Sequence, residues 1–146
     1  MKRATMAPLA AATPLALPAA ADTVDIGVLL PFSGVYAALG NEIEAGFALG
    51  LETYGNDLDV EIILHREDTE VTPATGLART RKLILQDDVD AIVGVVSSGV
   101  LGAVRDMVDG AGVPLIVANA GDHAATGADC SPWITRVSFS NSQVKR

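Results

Sequence analysis

The sequence predicts an α/β domain built on a doubly wound, mainly parallel sheet with helices on both faces. Two observations carry this. Short, nearly continuous apolar runs alternate with segments whose apolar residues recur at three- and four-residue steps. The connections between them are short, as right-handed strand–helix–strand units require. With 146 residues, 49% of them apolar, the chain can bury one substantial core.

Asp25-Ile26-Gly27-Val28-Leu29-Leu30, ended by Pro31, reads as a first strand covered on both faces. Ile43, Phe47, Leu51 and Tyr54 then make one stripe of a helix over Asn41–Tyr54. Glu42 and Glu44 fall in its first turn, where the helix dipole favours anions. Val60–Leu64 is a second strand, with Asp68 shortly after its end. Thr72 as the cap and Pro73 at the first helical position open a helix that runs to about Gln86. Leu77, Ile84 and Leu85 are expected to face inward, Arg79 and Lys82 outward. Val89–Val96 is a third strand. Gly99–Asp109 is a third helix, with Leu101, Val104 and Val108 on one face and Gly110 and Gly112 closing it. Val113–Ala118 is a fourth strand, its Pro114 placed near the start, where a missing amide matters least. Trp133–Val137 is a candidate fifth.

Composition excludes several functions. Asp and Glu number 18 against 10 Lys and Arg, and the formal charge of −8 repels phosphate backbones, so no nucleic-acid partner is expected. One Cys and two His are too few for a structural zinc site. There is no Walker A motif and no G-x-G-x-x-G after the first strand, so neither metal nor nucleotide cofactor is expected. The N-terminus reads as an export signal: Lys2 and Arg3, an apolar stretch from Met6 to Leu17, then the small residues Ala19-Ala20-Ala21 before Asp22. Pro8, Pro14 and Pro18 interrupt a stretch already shorter than the roughly 20 apolar residues of a membrane span. Residues 1–21 are thus expected to be removed and 22–146 to form the domain. Cleavage takes two of the ten cations and none of the anions, moving the formal charge to −10. Cys130 is an odd thiol, either free or paired outside this chain.

In such sheets ligands sit beyond the carboxyl ends of the strands. Four segments are expected to converge there: Pro31–Tyr36, Glu67-Asp68, Ser97-Ser98-Gly99 and Asn119–Asp122. The third passes from a buried strand directly into a helix, so two hydroxyls and the first free backbone N–H groups make a receptor for a carboxylate. Helix capping alone needs only one of the two serines. A hydrolase elbow, G-x-S-x-G, is the competing reading, but Gly94-x-x-Ser97-x-Gly99 has one residue too many, His65 lies within the second strand, and His123 sits in a loop with no evident orienting partner. Ser33 and Tyr36 suit either an ordinary turn or a pocket rim. Asp122 and His123 lack a third metal ligand, and Asp68 and Asp122 are not spaced as an acid–base pair.

Ile26–Gly34, the helix after Gly40, Asp90-Ala91-Ile92-Val93-Gly94 leading to Ser97-Ser98, and Val113-Pro114-Leu115-Ile116, together with the export signal, resemble the periplasmic solute-binding proteins of branched-chain amino acid type ABC transporters. The resemblance spans about residues 25–143. It implies a type I periplasmic-binding fold, two α/β lobes closing on a ligand, of which this chain corresponds to an incomplete N-terminal lobe ending near the first hinge crossing. It implies no enzymatic activity, periplasmic location, and membrane permease subunits as partners. In that family the serine pair receives the ligand carboxylate, which carries over to Ser97 and Ser98, with Gly99 beside them. The loop after the fourth strand meets the ligand's polar end, which carries over to Ala120 and Gly121. Gly121 stands where amino-acid binders often have threonine, and Leu39 where an aromatic often precedes the glycine equivalent to Gly40. The runs Pro31–Gly40 and Asn119–Pro132 are more similar to the branch associated with aromatic acids and other carboxylates. A small α/β serine hydrolase and a ligand-sensing regulator of the same fold are the alternative readings.

Overall fold

The computed structural model describes residues 22–144; the expected signal, residues 1–21, lies outside them. Nine principal elements follow one another: β1 (Asp22–Leu30), α1 (Ala37–Tyr54), β2 (Val60–Asp68), α2 (Pro73–Leu85), β3 (Ala91–Gly94), α3 (Ser98–Ala111), β4 (Leu115–Val117), β5 (Ile134–Arg136) and a short α4 (Asn141–Val144). All four strand pairings are parallel and the spatial order is β2-β1-β3-β4-β5. The chain steps one way from β1 to β2, then returns past β1 and continues through β3, β4 and β5. Because strand–helix–strand crossovers are right-handed, this reversal puts α1 on one face and α2 with α3 on the other. The boundary between β1 and β3 is therefore the switch point of a doubly wound sheet.

The core lies on the α2–α3 side. Leu29 of β1, Ile92 of β3 and Leu115 and Val117 of β4 are buried against Leu83 of α2 and Val100, Leu101, Val104 and Val108 of α3, while Val28 and Leu30, also buried, alternate to the other face of β1. The two helices pack closely because Gly76 gives way: a Cβ there would stand 2.5 Å from Val100 Cγ1. Gly112 ends α3 in the left-handed conformation, φ 69°, as its position predicts.

Several elements depart from the sequence reading. α1 begins at Ala37, four residues early, because a 3-10 turn over Gly34–Tyr36 runs straight into it. Glu42 and Glu44 thereby leave the first turn, and Glu44 pairs with Arg66 at 2.7 Å instead. Tyr54, expected on the inward stripe, is 69% exposed. β2 is longer than expected and includes Asp68, since its parallel register with β1 holds through Leu30↔Asp68. In α2 the buried positions are Gly76, Thr80 and Leu83, whereas Leu85 is 71% exposed. The buried stripe is displaced by a polar residue that hides itself: the Thr80 hydroxyl donates to the Gly76 carbonyl at 2.8 Å and so enters the core satisfied. Arg79 and Lys82 reach back to the nearly buried Glu67 carboxylate at 3.4 and 2.8 Å, tying α2 to β2. Thr72 precedes α2 but its hydroxyl donates to Glu70 O and makes no capping bond; Pro73 does open the helix.

Candidate functional site

β3 stops at Gly94 rather than Val96, and the reason lies in two backbone angles. Gly94 has φ +146° and Val95 φ +64°, a conformation a β-branched residue rarely adopts. Val95 is held there, fully buried: its N–H donates to Leu29 O at 2.8 Å, and its carbonyl accepts from Ala120 at 3.1 Å and Asn119 at 3.3 Å. Such backbone strain persists where surrounding structure over-determines it. The kink turns the chain out of the sheet, so that Val96, Ser97 and Ser98 step past the carboxyl edge into α3.

Those residues line a cleft of about 340 Å³. Ser97 occupies the position before α3 with φ −89° and ψ 130°, yet its hydroxyl makes no capping bond. Capping therefore does not account for it. The first amides of α3 have no carbonyl four residues back within the helix, and the helix dipole is positive at that end. The remaining wall comes from neighbouring strand ends: Tyr36 and Leu39 after β1, Asn119 and Gly121 after β4, Phe139 and Asn141 after β5. Adjacent strands thus bring Tyr36 and the serine pair together at the switch point.

Of the residues singled out from sequence, Ser97, Ser98, Gly121 and Tyr36 meet in this cleft; Ser33, Gly99 and Ala120 are not among its lining. Ala120 is buried beneath it, and its N–H is bonded to Val95 O. Ser33 faces the Asp68 carboxylate instead. Burial pushes that carboxyl upward, but N–H donation from Glu70, Phe32 and Ser33, together with the Ser33 hydroxyl, outweighs it, and the net pKa falls below the ordinary 3.8. The Phe32 and Glu70 bonds measure 2.9 and 2.8 Å. Asp68, read as a loop residue, is a positioning residue that pins the turn leading to Tyr36. Since its folded pKa is the lower one, the stabilisation is complete above 3.8 and is lost as pH falls through the depressed folded value. We expect Asp68→Asn to cost about 1–3 kcal/mol near neutral pH and to flatten the acid limb of a urea-unfolding series; an unchanged acid limb contradicts the assignment.

Leu39, Val96, Asn119, Phe139 and Asn141 were not singled out as contacts. Asn119 lay within a segment already marked. Phe139 and Asn141 follow β5 as the serines follow β3, so applying the carboxyl-end rule to the fifth strand finds them. Arg136 at the end of β5 donates to Asp122 O and, at 2.5 Å, to Thr126 Oγ1, bracing the loop after β4.

No lining residue of the cleft is a histidine or a carboxylate. His65 Nε2–H donates to the Asp25 carboxylate at 2.6 Å. Neither residue lines the cleft, and Asp25 N–H also bonds the Asp90 carboxylate ahead of β3. His123 is exposed, and the Asp122 carboxylate accepts from Ala124 N–H at 3.1 Å. Among the described residues there is no group of three His, Cys, Asp or Glu able to hold a metal, and no helix is long and apolar enough to cross a membrane.

Hydroxyls, amides and two aromatic rings gathered at the switch point of a doubly wound sheet are the architecture of a small-molecule-binding lobe. Residues 23–145 match the periplasmic binding protein family, and the chain belongs to it. It is 29% identical over 145 residues to Leu/Ile/Val-binding protein homolog 6 of Brucella abortus, covering 98% of this chain and 37% of that protein. An ABC transporter substrate-binding protein from Sphaerobacter thermophilus superposes with a TM-score of 0.80 at 38% identity, over 84% of this chain and 34% of the other. A solute-binding protein from Rhodopseudomonas palustris in complex with benzoate gives 0.80 at 37% identity, over 84% and 34%. The parallel five-stranded sheet is that of a type I periplasmic-binding lobe. The chain spans about a third of the length of these relatives.

Proposed function

We propose that this chain forms the ligand-binding lobe of an extracytoplasmic solute-binding component of an ABC uptake system, taking a small carboxylate and passing it, unaltered, to membrane permease subunits. One observation carries the reading: a pair of serines at the start of α3, with the Ser97 hydroxyl not spent on capping, opens onto a cleft at the switch point. Hydroxyls and helix-start amides donate without themselves being charged, which suits a carboxylate. Relatives add support, since one binds benzoate and a Streptococcus pneumoniae relative, 27% identical, binds isoleucine. Neither a histidine nor a carboxylate lines the cleft beside the serines, so a Ser-His-Asp arrangement finds no support there. Export to the periplasm is part of the same proposal, supported by the signal-like pattern of residues 1–21.

The test is calorimetry of the intact protein against benzoate and isoleucine, with Ser97→Ala and Ser98→Ala. Each substitution is expected to weaken the bound acid about tenfold, the loss of one hydrogen bond to a charged group. Turnover of a carboxylic ester that disappears with either serine supports the hydrolase instead and overturns the receptor.

A further inference from the structure

The turn that carries Tyr36 to the cleft has little of its own to hold it. Its three residues, Gly34–Tyr36, include no buried side chain and no side-chain capping bond, and Tyr36 is 44% exposed. The turn is therefore placed by its two ends. At the far end Gly40 packs on the Pro31 carbonyl. At the near end Phe32 is gripped twice.

One grip is the Asp68 carboxylate on the Phe32 N–H, at 2.9 Å. The other is Arg66, whose guanidinium carbon stands 3.3 Å from the centre of the Phe32 ring. Arg66 and Asp68 lie two residues apart in β2, paired with Val28 and Leu30 of β1, so both side chains leave the same face of the sheet, the one α1 covers. Arg66 is held in turn from α1, where its Nε–H donates to the Glu44 carboxylate at 2.7 Å.

These two contacts use different parts of one planar group. The Nε–H lies in the guanidinium plane and meets the carboxylate edge-on, while the flat face rests on the ring. A lysine, a point charge on a flexible stem, cannot do both at once. Arg66 is not among the residues that line the cleft, so it reaches the ligand only through the turn. We propose that Arg66, oriented by Glu44, is a positioning residue that sets the place of Tyr36 beside the bound acid by clamping Phe32. This rests on the carboxylate-receptor reading above and deepens it, adding a residue outside the cleft that tunes the affinity of the cleft.

The experiment is calorimetry of the intact protein with benzoate as the probe, beside urea unfolding of each variant. Arg66 is half exposed, so Arg66→Ala is expected to leave the urea midpoint close to that of the wild type. Its benzoate affinity should fall about threefold to fivefold, the size of effect that a cation–π contact at an exposed site supports. Arg66→Lys should fall by about the same factor although it keeps the charge. Tyr36→Ala should weaken benzoate by itself and abolish the effect of Arg66, so that adding Arg66→Ala brings no further loss. With Ser98→Ala, by contrast, the two losses should multiply. Full affinity in Arg66→Lys overturns the assignment, because charge alone then suffices. An undiminished Arg66→Ala loss in the Tyr36→Ala background also overturns it, because Arg66 then acts elsewhere. If Ser98→Ala weakens benzoate while Arg66→Ala does not, only the Arg66 assignment falls. If Ser98→Ala changes nothing, or the wild type binds neither benzoate nor isoleucine, the receptor reading falls and takes this one with it.

Discussion

Gly94→Ala is expected to destabilise the protein by about 4 kcal/mol or more, the largest effect of any single substitution considered. Two penalties coincide there. The backbone sits at φ +146°, where a side chain is strained whatever the space, and an added Cβ would overlap the Leu29 carbonyl. That carbonyl cannot retreat, because it accepts the Val95 N–H at 2.8 Å and belongs to a buried strand. Relief requires β1 and β3 to part, which breaks the register at the switch point and moves the serine pair with it. Denaturant unfolding measures the loss directly. A Gly94→Ala protein within about 1 kcal/mol of wild type would show that the kink after β3 is not held as described.

Gly40→Ala is expected to cost about 3 kcal/mol and to weaken ligand binding as well. Gly40 is the single buried residue of α1, and a Cβ there would overlap the Pro31 carbonyl oxygen. Backbone atoms are on both sides of the clash, so no rotamer change relieves it. The helix must lift away from the end of β1, carrying the Gly34–Tyr36 turn and hence Tyr36 with it. Asp68 holds that turn from the β2 side, so the displacement works against the Phe32 bond at 2.9 Å. Unfolding and calorimetric titration of the same variant separate the two effects. Normal stability together with normal affinity would contradict the close approach of α1 to Pro31.

These two glycines were visible in the sequence only as glycines. Gly40 was noticed for its place in a resemblance, and Gly94 as a residue inside the third strand and the first glycine of the elbow pattern that did not fit. What each avoids is a carbonyl from a different element, Pro31 in one case and Leu29 in the other, and no local pattern encodes that. The same holds for α2. Hydrophobic spacing selected Leu77, Ile84 and Leu85 as inward; Ile84 does pack against the core, but Leu85 is exposed and the fully buried positions are Gly76, Thr80 and Leu83. Thr80 satisfies its hydroxyl within the helix, and Gly76 is buried because Val100 of α3 arrives there. Asp68 was placed just outside β2 because the apolar run ends at Leu64; pairing with β1 extends the strand through charged residues that periodicity discounts.

The cleft divides in the same way. Ser97, Ser98, Tyr36 and Gly121 were legible because the rule that ligands meet the carboxyl ends of parallel strands needs only the strand ends. Ser33 suits a rim by type and position, yet the Asp68 carboxylate draws it aside. Phe139 and Asn141 obey the same rule, but they follow a fifth strand that the sequence marked only as a candidate, so the rule was not extended to them.

By itself the sequence determined the class of fold, the order of strands and helices, and the two serines at a strand-to-helix handover. All of these are set by interactions within one element or between neighbours in the chain, where periodicity and turn chemistry act. Only the tertiary structure decided where β3 breaks, which face of α2 is buried, which polar groups are already engaged and which are left facing the cleft. Those outcomes depend on backbone carbonyls and side chains that meet across strands, and excluded volume between distant segments leaves no trace in the spacing of either one.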